Sequence, residues 1–195
     1  MKKLFYTGML ATALMGMQAC NSGSKDAKEN ADSLNMSKDT TANAGATGGI
    51  AVEESDAKFA TEAAVGGMAE VSLGKLALEK TTNASVKDFA TMMVNDHGKA
   101  NEELMTIAAA KNITLPADVD EEHKKKADDL SKKTGKDFDK DYVDAMVDGH
   151  KKTLKLMQDE AKDGKDAELK AFAAKTAPIV QAHLDMINKI KDGMK

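Results

Sequence analysis

The stretch "FATMMVNDHGKANEEL", residues 89–104, decides how this chain folds. Read at helical spacing, Phe89, Met93, Ala100 and Leu104 form one apolar stripe, and His97 lies in its middle. Such a stripe predicts an amphipathic helix that buries one face in a core. Because an imidazole is costly to bury without a partner, the next question is what His97 contacts.

The same period recurs in other segments, and nothing alternates at the period of a strand over a useful length. We expect long helices over 56–80, from a cap at Asn83 or Ser85 to about residue 111, from about Asp137 to Gly164, and from there to about residue 190. A shorter, highly charged helix is expected over 120–133. The pattern predicts an all-α protein: an antiparallel four-helix bundle over 56–192 with an extra short charged helix.

Composition narrows the class of protein. Of the 195 residues, 42% are hydrophobic, 31% charged and 4% aromatic, which is typical of a helical domain. The net charge of −4 is small and well mixed, with no basic stripe, so we expect no nucleic-acid partner.

The first twenty residues have the pattern of an export signal. Lys2 and Lys3 precede the apolar run "LFYTGMLATALMGM", which is too short to span a membrane, and "QAC" follows, ending in Cys20. We predict a signal peptide over 1–19 and lipidation of Cys20, although Met17 and Gln18 are unusual at such a site. The membrane would then be a partner, and the protein would lie in the periplasm or at the outer membrane of a Gram-negative bacterium. The alternative is an ordinary cleaved signal peptide with a chance cysteine.

Residues 20–55 contain little to bury. Ser, Thr, Asn, Asp, Lys, Gly and Ala dominate residues 21–52, and such a composition cannot offset the entropy lost on ordering. We expect a disordered tether that spans roughly 30 Å between the lipidated cysteine and the bundle.

Each of the four long helices has one ionisable residue within its apolar stripe: Glu70, His97, His150 and His183. Counting 1.5 Å per residue from the helix ends puts the first three at similar heights and His183 about one turn too far, with Pro178 nearby. The residues could form a metal-free hydrogen-bonded network, bind Zn, Fe, Mn or Cu, or be unrelated core residues.

Other chemistry has little support. A di-iron site of the bundle type needs Glu-x-x-His motifs, but Val94, Val147 and Val180 stand three residues before the histidines. We identify no catalytic residue and no Gly-rich phosphate loop. The sequence therefore favours a binding or structural role over an enzyme.

Five stretches resemble a family of exported bacterial domains of unknown function, of the DUF4142 type, which is grouped with the ferritin-like superfamily. They are "FATEAAVGGMAEVSLGKLAL", "VKDFATMMVNDHGKANEEL", "LPADVD", "GKDFDKDYVDAMVDGHKKTLKL" and "LKAFAAKTAPIVQAHL". The resemblance implies a ferritin-like bundle in the cell envelope and no assigned reaction. Its pattern includes the four stripe residues and Pro178, and adds Asp96, Asp139 and Tyr142 as supporting polar residues. One departure is Ala177, where the resemblance implies leucine.

The leading prediction is a lipid-anchored envelope protein with a ferritin-like bundle and a non-catalytic binding or structural role. The alternative is a transition-metal-binding or redox module that uses the Glu/His cluster in the bundle core.

Overall fold

A computed structural model of the chain describes residues 26–39, 50 and 52–194. These residues form six α-helices and no strand. The helices are α1 (Ala27–Asp39), α2 (Glu54–Lys80), α3 (Ala84–Ala110), α4 (Glu121–Ser131), α5 (Gly135–Asp163) and α6 (Ala167–Gly193). The predicted all-α bundle, with four long helices and a short charged one, is confirmed.

Short polar side chains start four of these helices, and at α1 the Asp26 side chain accepts a hydrogen bond from the Glu29 N–H at 2.8 Å. Asn83 accepts hydrogen bonds from the backbone N–H groups of Ser85 and Val86 at the start of α3. Asp120 and Asp166 do the same for α4 and α6. Gly164 ends α5, as its sequence position predicts. These caps satisfy N–H groups that have no partner inside the helix, which fixes where each helix begins.

Two helical hairpins make up the bundle. The short connection at residues 81–83 folds α3 back on α2, and the connection at 164–166 folds α6 back on α5. Close packing of the first hairpin depends on Gly74, where a Cβ atom would lie 3.1 Å from the Ala90 carbonyl oxygen. The helices thereby bring their stripes together along a common axis.

The apolar core consists of two clusters, one toward each end of the bundle. Phe89, Met93, Tyr142 and Ile187 belong to the first. Leu104, Met157, Leu169 and Phe172 belong to the second. On every long helix, the ionisable residue of the stripe falls between the segments that supply the two clusters.

The structure differs from the sequence expectation at Ala27–Asp39, where it has a helix in place of a flexible tether. The Asn35 side chain donates to the Thr114 carbonyl oxygen at 2.9 Å and accepts from the Thr114 N–H at 2.8 Å. Thr61 donates to Asp32 at 2.6 Å. These hydrogen bonds pair α1 with α2 and with the loop after α3, so tertiary contacts replace the apolar stripe that α1 lacks.

Several predictions about the N-terminal segment lie outside the described residues. They are the signal peptide, the lipidation of Cys20 and the rest of the tether at 21–25, 40–49 and 51. Within the described residues, no helix is both long enough and apolar enough to cross a bilayer.

Candidate metal centre

Glu70, His97, His150 and His183 lie together between the two apolar clusters, and we call them the polar layer. Each is almost fully buried, with at most 5% of its surface exposed. The centroids of the three imidazole rings are 5.4–5.6 Å apart in every pairing. The estimate from residue counting is therefore one turn wrong for His183, because such a count ignores helix tilt and the path of the connecting loops.

One nitrogen of each ring lies against an oxygen acceptor. His97 Nδ1 is 2.9 Å from Glu70 Oε2. His150 Nδ1 is 2.8 Å from the Met146 carbonyl oxygen, one turn earlier in α5. His183 Nε2 is 3.1 Å from Asp96 Oδ2. An acceptor at one nitrogen fixes the proton there and leaves the lone pair at the other nitrogen.

The remaining nitrogens are His97 Nε2, His150 Nε2 and His183 Nδ1, and all three are buried without a hydrogen-bond partner. One nitrogen from each ring can be chosen so that all three lie within 4.8 Å of one another. Nitrogens bound to one zinc ion are about 3.4 Å apart, since Zn–N bonds are about 2.0–2.1 Å long. Small ring rotations would close that difference, so this buried histidine cluster could hold a metal ion.

Glu70 lies outside this group of three ligand atoms. Its Oε2 faces His97 Nδ1, and its Oε1 is 3.4 Å from both His150 Nδ1 and the hydroxyl of Thr153. Glu70 is therefore placed to orient two imidazoles from behind. Carboxylates commonly hold this position behind metal-binding histidines.

The charges of the layer are set by burial and by the Glu70–His97 contact. Burial by itself would raise the pKa of Glu70, but attraction to His97, a hydrogen bond with it and the weaker attraction of His150 and His183 lower that pKa to about 2. Burial lowers the pKa of His97, yet Glu70 and then Asp96 outweigh it, so the pKa is raised. Without a metal, His97 is therefore the ring of the three that most readily takes up a second proton beside Glu70, and binding of a metal through its Nε2 would release that proton.

The pKa values of His150 and His183 are shifted in the opposite direction to that of His97. Burial is the largest cause of the lowered pKa of both rings. The positive charge of His97 lowers both further, although Glu70 partly opposes this at His150 and Asp96 at His183. Both rings are thus kept neutral, and only a neutral imidazole can bind a metal.

The three supporting residues differ in position. Asp96 holds His183, as described above. Tyr142 stacks on Phe138 in the first apolar cluster, and its buried hydroxyl has no hydrogen-bond partner. Burial, followed by the charge of Glu70, raises the pKa of Tyr142. One carboxylate oxygen of the buried Asp139 is likewise unpartnered, and Asp139 is not among the three residues whose ligand atoms lie within 4.8 Å of one another.

Sequence analysis missed two members of the surroundings, the Met146 carbonyl and Thr153. Both lie within one helical turn of His150, at i−4 and i+3. That spacing could have identified Thr153. The Met146 carbonyl gives no such signal, since every helical residue has a carbonyl oxygen one turn earlier.

Comparison with known proteins places the chain in a family. The family model of a domain of unknown function, DUF4142, matches residues 39–190. A crystal structure of a DUF305 fragment from Deinococcus radiodurans is similar, with a TM-score of 0.64 and 9% identity, over 72% of this chain and 97% of that chain. At this identity the similarity shows the helical fold alone, and the ferritin-like assignment stays a prediction. No curated protein matches the chain.

Proposed function

Because the chain belongs to DUF4142, a family described only as a domain of unknown function, we propose its role from the geometry of the polar layer: it binds one transition-metal ion through His97, His150 and His183. One observation carries the proposal. Each ring has one nitrogen against an oxygen acceptor and the other nitrogen buried without a partner. This is the usual arrangement of a metal-binding histidine, whose second nitrogen donates to a carboxylate or a carbonyl.

A metal-free network explains the layer less well. Glu70 lies within ion-pair distance of one nitrogen of His97 and one of His150, and Asp96 reaches one nitrogen of His183. The other three nitrogens remain unpaired, and each buried polar atom without a partner costs about 1–3 kcal/mol. One bound ion would satisfy all three at once.

The donor set favours zinc or copper. Imidazole nitrogens suit Zn and Cu, whereas Mn prefers carboxylate and carbonyl oxygens, and no carboxylate of the described residues belongs to this group. Three histidines also leave a coordination position without a protein ligand, which water can fill. We propose a binding role in the cell envelope. Iron and manganese ions would bind the same site more weakly than zinc or copper.

Elemental analysis tests the proposal directly. Protein purified without chelator should contain close to one equivalent of Zn or Cu, and a chelator should lower its melting temperature, because a ligand of the folded state alone stabilises it. His150→Ala should abolish stoichiometric binding, and His123→Ala is the matched control, since His123 lies outside the layer. Wild-type protein that takes up neither ion, or a His150→Ala variant that binds like wild type, would contradict the proposal.

We also propose that the bundle is exported and anchored through lipidated Cys20, on the sequence pattern given above. Radiolabelled palmitate should then appear on the wild-type protein. Cys20→Ala should release the protein into the soluble fraction. Unlabelled, soluble wild-type protein would contradict the anchor and would leave the metal proposal unaffected.

A further inference from the structure

We infer that a cleft between α2, α4 and α5 is the route by which small solutes, and the metal ion first among them, reach the polar layer. The inference rests on the proposed metal site, because it describes how that site exchanges its ion. It assigns a role to the cleft that the ligand geometry alone does not require.

The polar layer needs such a route because each of its four residues is at least 95% buried. The cleft has a volume of about 230 Å³, and Glu70 forms part of its wall together with Gly66, Ala69, Met146, Gly149 and Thr153. Four other cavities of the described residues have no member of the layer in their walls. A solute in the cleft therefore contacts Glu70, whose carboxylate oxygens lie 2.9 Å from His97 Nδ1 and 3.4 Å from His150 Nδ1.

Two glycines keep the cleft open. A Cβ atom at Gly66 would meet nothing nearer than the Thr153 hydroxyl at 3.8 Å, and one at Gly149 would meet Glu70 Oε1 at 3.6 Å. Neither glycine is required by close helix packing, so a larger side chain at either position would project into the cleft. Mid-helix glycine costs about 1 kcal/mol relative to alanine. In exchange for this loss of helix stability, the two glycines leave open space beside the polar layer.

The mouth of the cleft has charges of both signs. Lys28 of α1 lies 3.7 Å from Glu62, and Lys152 lies 3.5 Å from Glu122. His123 contacts Asp120 at 2.6 Å, and Lys126 adds a further positive charge. These charges nearly balance, so the mouth offers exchangeable carboxylates to a cation without attracting it strongly. Binding through this mouth should depend only weakly on salt.

The decisive experiment compares the rates at which Zn²⁺ binds and dissociates with its dissociation constant. Gly66→Leu fills the cleft, and Gly66→Met fills it with a more flexible chain in case the leucine variant folds poorly. Gly98→Leu is the control, because it gains the same helix propensity where a Cβ meets nothing within 4 Å. In stopped-flow measurements with Zn²⁺ and a chromophoric competitor, both Gly66 variants should bind and release the ion about tenfold more slowly at an unchanged dissociation constant. Wild-type rates in both Gly66 variants would overturn the inference.

A second measurement does not depend on any metal. Thr153→Cys, made in a Cys20→Ser background, places a thiol on the cleft wall, where a small methanethiosulfonate reagent should modify it in chelator-treated protein. Adding Gly66→Leu should slow that modification about tenfold, and adding Gly98→Leu should leave it unchanged. Equal modification in all three proteins would overturn the route. Protein that binds no ion but shows the protection would refute the proposed function and retain the route for other small solutes.

Discussion

Two carboxylate–histidine pairs in this molecule have nearly the same chemistry and opposite surroundings. Glu70 and His97 meet at 2.9 Å between two helices of the core, with side chains 5% and 6% exposed. Asp120 and His123 meet at 2.6 Å within the first turn of α4, with side chains 18% and 28% exposed. The first pair joins residues distant in sequence, whereas the second is a local helix cap.

The difference shows that contact distance alone does not determine the role of such a pair. Asp120 also accepts a hydrogen bond from the His123 N–H, so the outer pair starts a helix and remains in contact with solvent. The inner pair has lost its hydration, and each partner depends on the other for its charge. We therefore expect every perturbation of the inner pair to exceed the same perturbation of the outer pair.

Replacing the carboxylate residue should give the largest difference in stability loss between the two pairs. Glu70→Ala leaves His97 buried without a counter-charge and should lower the free energy of unfolding of the metal-free protein by about 3–5 kcal/mol. Asp120→Ala removes a helix cap and should cost about 1 kcal/mol. Urea denaturation at pH 7 measures both losses. Similar losses would show that burial does not distinguish the pairs.

Acid should weaken the inner pair over a defined pH range. The folded-state pKa of Glu70 is about 2, against 4.5 in the absence of interactions, so its contribution is fully present above pH 4.5 and is lost as the pH falls toward 2. The shift corresponds to about 3 kcal/mol. The stability difference between wild type and Glu70→Ala, measured in chelator, should shrink by that amount over this range.

The contributions of the three layer histidines to the free energy of unfolding change at higher pH. Because the pKa of His97 is raised in the folded state, its contribution is present below pH 6.5 and is lost as the pH rises through the raised value. His150 and His183 have lowered pKa values in the folded state, so the unfolded state takes up their protons first and the free energy of unfolding decreases as the pH falls below 6.5.

The acid prediction for Glu70 can be contradicted directly. A stability difference between wild type and Glu70→Ala that stays constant from pH 5 to pH 2 would refute the assignment to Glu70.

Coupling within each pair should differ as well. In a double-mutant cycle, Glu70→Ala and His97→Ala should show an interaction energy of about 1–3 kcal/mol, because removing one partner already leaves the other unpaired. The cycle of Asp120→Ala and His123→Ala should give about 0.2–1 kcal/mol, which is typical of solvated pairs. Additive losses at Glu70 and His97 would indicate two unrelated core residues.

Salt should produce the smallest effect. At 1 M NaCl the screening length is about 3 Å, which weakens exposed charges and hardly affects buried ones. The interaction energy of Asp120 with His123 should fall by a few tenths of a kcal/mol at pH 5.5, and that of Glu70 with His97 should not change. Repeating both cycles with and without salt provides the measurement. An inner pair that weakens as much as the outer one would show that solvent reaches the layer freely.

The sequence was most informative where a local pattern repeats. Apolar residues at helical spacing predict all four long helices, and Asn83 and Gly164 mark ends that the structure confirms. The same stripes select Glu70, His97, His150 and His183. Helix α1 could not be found in this way, because its segment has no apolar stripe and is supported by Asn35 and Asp32 contacting residues distant in the chain.

By itself, then, the sequence determined which residues lie on the buried faces, because helical periodicity is a local property of the chain. Only the tertiary structure decided that His183 joins the layer, that Glu70 lies behind two histidines, and that three ring nitrogens are left without partners. The physical reason is that a nitrogen's role depends on which acceptor the other nitrogen of its ring contacts. For His97 and His183 that acceptor comes from another helix, so its position depends on how the helices pack.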